Sequence, residues 1–336
     1  MMRHFFSCLM ATLVLGAVTL STALGAELQT VRVGVLQFGT VNWELDVIKT
    51  GKLDRKYGVN LEVIPLAGKD SSHVALQGGA VDVIVTDWIW VARQRAEKED
   101  FTFVPYSNAV GSVMVAADQG IESLADMEGR KLGVAGGPVD KTWLLLRAYS
   151  QKVLGKDIKD MLEPQFAAPP LLNALALKGD LDGVVNFWHF AARLKAAGMK
   201  PLLEMPEVLQ GLGIEHAVPL IGWVFRQGWA EKHADAIKGF LQASRDAKQR
   251  LAESDTEWER LKPLMKAEDE GIFIALRDAY RAGIPHCLGP EEMEAARTTL
   301  TILTELGGKD LVGNVSGWDE GVFWNGFELG ACEAKP

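Results

Sequence analysis

A turn in the middle of the chain carries residue types that could do chemistry. Its sequence, AGGPVDKT at residues 135–142, has the spacing of a phosphate-binding loop, with Lys141 and Thr142 in the last two places. Ala135 and Asp140 stand where that motif requires its two glycines. Without the second glycine the backbone cannot fold around a phosphate, and the carboxylate of Asp140 would repel one. The turn therefore does not indicate a nucleotide site.

The same turn is typical of a helix start. We expect Gly137 to be the N-cap, Pro138 to take the first helical position and Asp140 the third. A second helix start is predicted earlier in the chain, at Asp70 or Ser71. Backbone N–H groups at helix starts lack partners within the helix and attract anions, so the two turns could hold a carboxylate or a sulfonate. The alternative is that Asp140 serves only the dipole of its own helix.

Aromatic residues strengthen the case for a binding site. Of the ten tryptophans, five fall at predicted strand-to-helix junctions, and two phenylalanines join them. These aromatic residues are Phe38, Trp43, Trp88, Trp90, Trp143, Phe187 and Trp188. A single buried tryptophan is more often part of a hydrophobic core, but several at one edge favour a ligand with a flat, apolar or cationic part.

Polar residues share the same loops. Asp87 and Asp140 could receive an ammonium group, while hydroxyl and amide side chains near the helix starts could receive an acidic group. The latter residues are Asn42, Ser71, Ser72, Thr142 and Asn186. His189 could reach the same site, with a structural role as the alternative. Together these residues predict the binding of a small organic molecule.

Signals for catalysis and for metal binding are weak. The histidines show no metal-binding spacing, and the chain has neither a C-x-x-C motif nor a G-x-S-x-G nucleophile turn. A metal held by Asp87, Asp140, His73 and His189 is an alternative that spacing alone does not favour. We therefore expect no metal, no cofactor and no catalytic residues.

An internal repeat must position these loops. The segment ALQGGAVDVIVTDW at residues 75–88 corresponds to ALKGDLDGVVNFW at residues 176–188, with one gap. In the same order, VRVGV corresponds to KLGVA, and FTFVPY corresponds to MKPLLEM, each about 100 residues later. This self-similarity predicts two copies of one β-α-β-α-β unit.

The alternation of short β-rich runs with helical stretches predicts an α/β fold. The strands are expected at residues 31–36, 60–65 and 81–86, and again at residues 131–135, 163–167 and 183–187. The helices are expected near residues 43–56, 71–78, 138–154 and 170–178. Such units form mostly parallel sheets flanked by helices, and their ligands bind beyond the carboxyl ends of the strands. Two such lobes facing each other make a cleft.

Two extended crossovers predict a hinge. Residues 110–118 would carry the chain from lobe one to lobe two, and residues 218–225 would bring it back. Lobe one is then expected to comprise residues 26–115 and 222–336, and lobe two residues 116–221.

The N-terminus and the composition indicate a secreted protein. Residues 1–25 have the basic start, the apolar run and the small final residues of a signal peptide. In an oxidising compartment Cys287 and Cys332 could form a disulfide, with two free thiols as the alternative. The 35 basic and 44 acidic residues give a net charge of −9 without a basic stripe, so a nucleic acid partner is not expected.

The chain resembles the periplasmic substrate-binding proteins of ABC importers, in the branch that serves nitrate, sulfonates and taurine and also contains binders of pyrimidine precursors. The resemblance covers most of the chain and rests on GGAVDVIVTD, SVMVAADQGIESLADMEGRKLGVAGG and LALKGDLDGVVNFW. It implies a two-lobed periplasmic-binding-protein fold of type II, joined by a two-strand hinge. It also implies a periplasmic monomer that delivers a small-molecule ligand to a permease in the inner membrane.

The resemblance further implies a set of ligand residues. They are Trp43, Ser71, Ser72, Asp87, Trp88, Gly137, Thr142 and Trp188. Many relatives carry small or hydroxyl residues where this chain has Pro138, Val139 and Asp140. The aromatic TDWIW segment also differs from a nitrate site, which favours an organic ligand that is zwitterionic or aromatic. The alternative is an enzyme on the same scaffold, related to pyrimidine-precursor synthases, with His73 or His189 as its base.

Overall fold

The architecture comes from a computed structural model, which describes residues 27–37, 39–138, 140–330 and 332. The expected signal peptide at residues 1–25 and the candidate residue Phe38 lie outside the described residues. Within these ranges, none of the helices combines the length and the apolar character that a membrane span requires.

The described residues form ten strands and thirteen α-helices. The strands are β1 Gln29–Leu36, β2 Val59–Leu66, β3 Val83–Asp87, β4 Phe101–Ser107, β5 Ser112–Ala116, β6 Lys131–Val134, β7 Glu163–Phe166, β8 Gly183–Asn186, β9 Met199–Glu204 and β10 Ile221–Arg226. The helices are α1 Val41–Thr50, α2 Leu53–Lys56, α3 Lys69–Gln77, α4 Trp88–Ala96, α5 Lys141–Leu154, α6 Pro169–Lys178, α7 Trp188–Ala196, α8 Met205–Gly211, α9 Gln227–Lys232, α10 Ala234–Glu253, α11 Asp255–Met265, α12 Glu270–Ala282 and α13 Pro290–Val312. Short 3-10 helices lie at Leu124–Met127, Ile158–Asp160 and Glu320–Val322.

The strands form two sheets with the same pattern. The first sheet has the order β2-β1-β3-β10-β4, and the second has the order β7-β6-β8-β5-β9. In each sheet the first three strands are parallel, and the fourth runs antiparallel to both of its neighbours. The predicted α/β class, with two helix-flanked sheets, is confirmed.

The internal repeat corresponds to this shared pattern. The paired segments found in the sequence fall on β1 and β6, on β3 and β8, and on β4 and β9, which occupy equivalent places in the two sheets. The fourth place is filled by a crossover strand, β10 in the first sheet and β5 in the second. The two strands that link the lobes are therefore integral members of the sheets.

Alternation of buried and outward side chains explains the first strand. Val31, Val33 and Val35 are buried at every second position and pack against α10. Arg32 lies between them on the other face, where its guanidinium pairs with Asp82 at 2.6 Å. The strand thus fixes its own register and one face of the lobe-one core.

The sheet membership of β5 shifts the expected lobe boundary. Residues up to 115 were expected in lobe one, yet β5 pairs with β8 and β9 in the second sheet. We propose that the first crossover lies at residues 108–111, before β5. There a Cβ on Gly111 would come within 1.9 Å of the carbonyl oxygen of Asn186, so the close approach of these two segments requires glycine.

The C-terminal helices do not all complete lobe one. Helix α10 packs against α1, α2 and the first sheet, but α13 packs against α5 of lobe two as well as α4 of lobe one. The expectation that residues 222–336 belong to lobe one therefore does not describe α13, which spans both lobes.

The C-terminal tail returns to lobe one. Val322 and Phe323 are buried, and the Trp324 N–H donates to the Phe103 carbonyl at 2.9 Å, which attaches the tail beside β4. A disulfide joins Cys287 to Cys332, as the sequence suggested, and fixes the end of the tail to the segment before α13.

Candidate functional site

A cleft lies between the two sheets, at the carboxyl ends of their parallel strands. Its cavity volume is about 510 Å³, within the roughly 300–1,000 Å³ typical of small-molecule pockets. Lobe one contributes the starts of α1, α3 and α4, and lobe two contributes the starts of α5 and α7. The position agrees with the rule that α/β sheets bind ligands beyond the ends of their strands.

Eight of the residues expected at the site line this cleft. They are Ser72, Asp87, Trp90, Asp140, Thr142, Phe187, Trp188 and His189. They come from both copies of the repeat, so the fold brings together side chains that lie about 100 residues apart in the chain.

Three of the expected tryptophans lie in hydrophobic interiors instead. Trp88 is fully buried beside Trp318, and Trp143 is 2% exposed beside Phe166. Trp43 is also buried, although its ring lies edge-on to that of Trp188 at 6.0 Å, immediately behind the cleft wall. Trp88 is the first residue of its helix, and Trp43 and Trp143 are the third residues of theirs. A junction position alone therefore did not settle the direction of the side chain.

Four other expected residues shape the loops and do not line the cavity. The Asn42 side chain donates to the carbonyls of Leu36 and Gly39 and so closes the loop before α1. Asn186 is 1% exposed, and its amide group donates to the side chain of Asn173 at 2.8 Å. Their amides support the wall of the cleft and are already engaged.

Ser71 and Gly137 are the other two of these loop residues. Ser71 lies at the third position of α3, where its Oγ accepts the N–H of Gly68 at 2.9 Å. Gly68 is the N-cap of this helix, so the expectation that Asp70 or Ser71 would cap it was wrong. Gly137 has φ of +87° and forms the turn before α5.

Asp140 is the N-cap of α5, whereas the sequence suggested that it would be the third residue of the helix. The helix begins at Lys141, and Asp140 Oδ1 accepts the N–H groups of Thr142 at 2.9 Å and Trp143 at 3.4 Å. The preceding Gly136 has φ of +83°, and a Cβ there would lie 2.6 Å from Asp140 Oδ2. The two glycines thus move the start of the helix to a later residue and bring the turn close to the carboxylate of Asp140. This turn has no space to enclose a phosphate chain.

Asp87 is the N-cap of α4, as Asp140 is of α5. Its Oδ1 accepts the Trp90 N–H at 2.9 Å, and its Oδ2 accepts the ammonium of Lys69 at 2.8 Å. Asp87 is 7% exposed, whereas the Lys69 side chain keeps 56% of its surface accessible within the cleft. Sequence reasoning missed Lys69, although it directly precedes the DSS segment that was singled out.

Two further cations line the cleft. Arg93 follows Trp90 by three residues on α4, and Lys141 is the first residue of α5. Neither forms a direct ion pair among the described residues, whereas Lys69 is paired with Asp87. The helical spacing of Trp90 and Arg93 was a sequence signal that could have found Arg93.

These charges set the protonation state of the cleft. Burial would raise the pKa of Asp87, but the positive charges of Lys69 and Lys141 and the hydrogen bonds from Lys69 and Trp90 hold that pKa well below its usual range. The charge of Asp87 raises the pKa of Lys69 in turn, against the effect of burial. The pair is therefore ionised across the physiological pH range.

A flat surface lies next to these charges. The rings of His73 and Trp90 stack with centroids 4.3 Å apart and planes 13° apart, and His73 Nε2 is 2.9 Å from Thr86 Oγ1. Burial and the nearby charge of Lys69 lower the pKa of His73 to about 4. At neutral pH the stack is uncharged, so it can contact an apolar or aromatic part of a ligand.

His189 is the second neutral histidine of the cleft. Burial and the charge of Arg193 lower its pKa to about 4, and its Nδ1 is buried without a hydrogen-bond partner among the described residues. An unpaired buried nitrogen costs free energy, and a ligand group could satisfy it.

Trp188 connects the two lobes at one end of the cleft. It belongs to α7 of lobe two, and its ring lies edge-on to Trp43 at 6.0 Å and to Tyr280 at 6.2 Å, both in lobe one. On the same helix, the Arg193 side chain donates to the Met265 carbonyl at 3.0 Å and pairs with Glu268. This end of the cleft is a packed contact between lobes, in contrast to the open charged end around Lys69.

The structure does not gather the metal ligands that were considered as an alternative. In the part of the chain that is described, Asp87, Asp140, His73 and His189 do not form a group with converging ligand atoms. The one group that does converge there is Cys287, Glu292 and Cys332, and its two sulfurs form the disulfide.

Comparison with known families gives one match over residues 55–257, to the family described as NMT1/THI5 like. These residues include α3, α4, both crossovers and the whole of lobe two. The chain belongs to the NMT1/THI5-like family. No curated protein matches the chain in sequence.

Solved structures show that this NMT1/THI5-like chain has a widespread fold. The periplasmic aliphatic sulphonate binding protein SsuA from Escherichia coli is 17% identical, with a TM-score of 0.69 over 91% of this chain and 96% of that one. The alkanesulfonate-binding protein SsuA from Xanthomonas axonopodis pv. citri, bound to MOPS, is 16% identical, with a TM-score of 0.64 over 84% and 94%. The two-lobed periplasmic-binding-protein architecture predicted from the sequence is confirmed.

An enzyme shares the fold as well. The desulfurization enzyme DSZB is 16% identical, with a TM-score of 0.56 over 83% of this chain and 92% of that one. At such identities the likeness establishes the architecture of the NMT1/THI5-like chain, and its activity has to be argued from its own cleft.

Proposed function

We propose that the protein is the periplasmic solute-binding component of an ABC importer. It binds a small organic ligand in the cleft between its lobes and delivers the ligand to a permease in the inner membrane. The observation that carries this proposal is the cleft itself, which takes charged and aromatic side chains from both lobes at a two-strand hinge. The likeness to sulfonate-binding periplasmic proteins and the expected signal peptide support it.

The proposed ligand is a small organic anion. Lys141 and Arg93 face the cleft without ion-pair partners among the described residues, while Asp87 and Asp140 already accept hydrogen bonds from helix starts. The stacked rings of His73 and Trp90 offer a surface for the apolar or flat part of the molecule. A sulfonate, a taurine-like compound and an aromatic or pyrimidine-type acid all have a size that this cavity accepts.

Binding would act through closure of the hinge. A ligand that touches α3 and α4 in lobe one and α5 and α7 in lobe two has more contacts when the lobes are close. Such a ligand shifts the equilibrium toward the closed form by as much as it prefers that form. The closed form is then the state presented to the permease.

The proposal is tested by ligand-dependent stability. The mature protein is unfolded and refolded to remove bound solute, and its thermal unfolding is recorded with a panel of organic acids. A ligand at 100 times its dissociation constant should add about 2.7 kcal/mol to the free energy of unfolding. Lys141→Met should lose this gain, whereas Lys56→Met, which removes a lysine paired with Asp246 away from the cleft, should keep it. If no compound in a broad panel changes the unfolding temperature, the proposal is wrong.

The alternative function is an enzyme on the same scaffold. It is favoured by the likeness to the desulfurization enzyme and by His189, whose Nδ1 is buried without a partner. Against it, the lowered pKa values of His73 and His189 make both weak bases at neutral pH. Trp188→Ala should weaken ligand binding by about tenfold, and His189→Ala should weaken it less. Turnover of a bound compound that is abolished by His189→Ala alone would favour the enzyme.

A further inference from the structure

We propose that Lys69 determines the charge specificity of the cleft. By pairing with Asp87 it takes the place that a ligand ammonium group would occupy, so the protein selects anions over zwitterions and amines. The inference rests on the proposed function of the cleft, and it corrects the expectation that Asp87 and Asp140 receive an ammonium group from the ligand.

Both oxygens of the Asp87 carboxylate already accept a hydrogen bond. Oδ1 accepts the Trp90 N–H at 2.9 Å, and Oδ2 accepts the Lys69 ammonium at 2.8 Å. Because Asp87 is only 7% exposed, a ligand ammonium could reach it only by displacing Lys69. The displaced lysine would then lie beside the incoming positive charge, and like charges in such proximity repel strongly.

Asp140 offers little more to an ammonium group. Its Oδ1 accepts two N–H groups at the start of α5, and its Oδ2 lies against the backbone of Gly136. The positive charge of Lys69 also acts on Asp140 from across the cleft. The charge of one lysine thus acts on the facing carboxylates of both lobes.

The remaining charges of the cleft favour an anion. The charged side chains that line it are Lys69, Asp70, Asp87, Arg93, Asp140 and Lys141. Of these, Asp87 and Asp140 are engaged as helix caps, and Asp70 lies at the exposed rim. Arg93 and Lys141 have no direct ion-pair partner in the described ranges and remain available to a carboxylate or a sulfonate.

Two probes of equal shape separate anion from zwitterion. Propane-1-sulfonate and taurine have the same sulfonate and chain length, and differ by a methyl group in place of an ammonium. We expect the wild-type protein to bind propane-1-sulfonate at least about tenfold more tightly than taurine, measured by calorimetric titration of the refolded protein. Lys69→Met should reduce this ratio to unity or invert it, because Asp87 is then open to the ammonium of taurine.

Two further variants distinguish specificity from a general loss of structure. Lys69→Arg retains a cation beside Asp87 and should retain the preference for propane-1-sulfonate. Lys49→Met removes another half-exposed lysine of lobe one, paired with the buried Asp54 outside the cleft, and should leave the ratio unchanged. Thermal unfolding of each variant confirms that it is folded.

The outcomes separate this inference from the proposed function. If wild type prefers taurine, or if Lys69→Met keeps the wild-type ratio, then Lys69 does not determine specificity, while the cleft remains a binding site. If neither probe binds to the wild-type protein at high millimolar concentration, the inference that Lys69 selects between them is overturned, while the panel of organic acids still tests the proposed function.

Discussion

Two of the lysine–carboxylate pairs of lobe one lie in very different surroundings. Lys248 and Glu44 lie in the interior, with 8% and 0% of their side-chain surfaces exposed, and their charged groups are in direct contact. Lys69 and Asp87 lie at the cleft, where the lysine side chain is 56% exposed. The two pairs have the same chemistry, so the comparison isolates what burial does to it.

Burial reverses the direction in which the pKa of the lysine is shifted. The loss of water around Lys248 lowers its pKa despite the charge of Glu44, whereas the charge of Asp87 raises the pKa of Lys69 despite its surroundings. Glu44 also accepts hydrogen bonds from Ser244 at 2.5 Å and from Tyr280 at 2.9 Å. The interior pair is a fixed part of the core, whereas the cleft pair lies where a ligand can contact the lysine.

The largest expected effect is on the interior pair. Lys248→Met leaves Glu44 as a buried charge without its cation, and should lower the free energy of unfolding by about 3–5 kcal/mol. Urea unfolding at neutral pH measures the loss. The double variant Glu44→Gln, Lys248→Met should recover part of it, because no charge is then buried unpaired. Equal stability of Lys248→Met and wild type would contradict the distinction between the two pairs.

A smaller effect is expected at Tyr280, which touches both regions. Its hydroxyl donates to Glu44, and its ring contacts Trp188 at the cleft wall. Tyr280→Phe removes the hydrogen bond to a charged group and should cost about 1.5–3 kcal/mol of stability. Because the ring remains, ligand affinity should stay within about twofold of wild type. A stability loss accompanied by a large loss of affinity would show that the interior pair and the cleft are coupled.

The cleft region should dominate the response to mild acid. His73 and His189 have pKa values of about 4 in the folded protein, below the ordinary value of about 6.5. As the pH falls from about 6.5 to about 4, the unfolded chain takes up protons that the folded protein does not, so the free energy of unfolding falls. The lowered pKa of Asp87 adds a further loss only below about pH 4. His73→Gln should flatten the curve between pH 6.5 and 4, and an unchanged slope would contradict the assignment.

The smallest expected effect is on the stability of the cleft pair. Lys69→Met should change the free energy of unfolding by about 1 kcal/mol or less, since the lysine is half exposed and Asp87 keeps the N–H of Trp90 and the field of Lys141. The same variant should nevertheless change ligand specificity. A loss as large as that of Lys248→Met would place both pairs in the same structural class.

The fold could be predicted well because its signals are local or repeated. The valines of β1 alternate at every second residue, and the matching segments of the two copies fall on equivalent strands. The placement of α13 across both lobes could not be predicted, since an apolar helix face does not identify the surface that it covers.

The site could be predicted only in part. The predicted loops line the cleft because strand ends converge at one edge of a sheet, but the direction of each side chain depends on the first turn of its helix. Trp88 and Trp90 are two residues apart on α4, yet the first lies in the core and the second in the cleft. Asp140 was placed three positions too far along its helix because positive φ at two successive glycines is not visible in the sequence.

The central claim is that the cleft holds a small organic anion, and native mass spectrometry of the gently purified protein tests it most directly. We expect one bound small molecule per chain, detected as an anion after release, that is present in wild type and in Lys49→Met and is lost in Lys141→Met. Retention of the same molecule by Lys141→Met, or release of a cationic molecule, would contradict this claim.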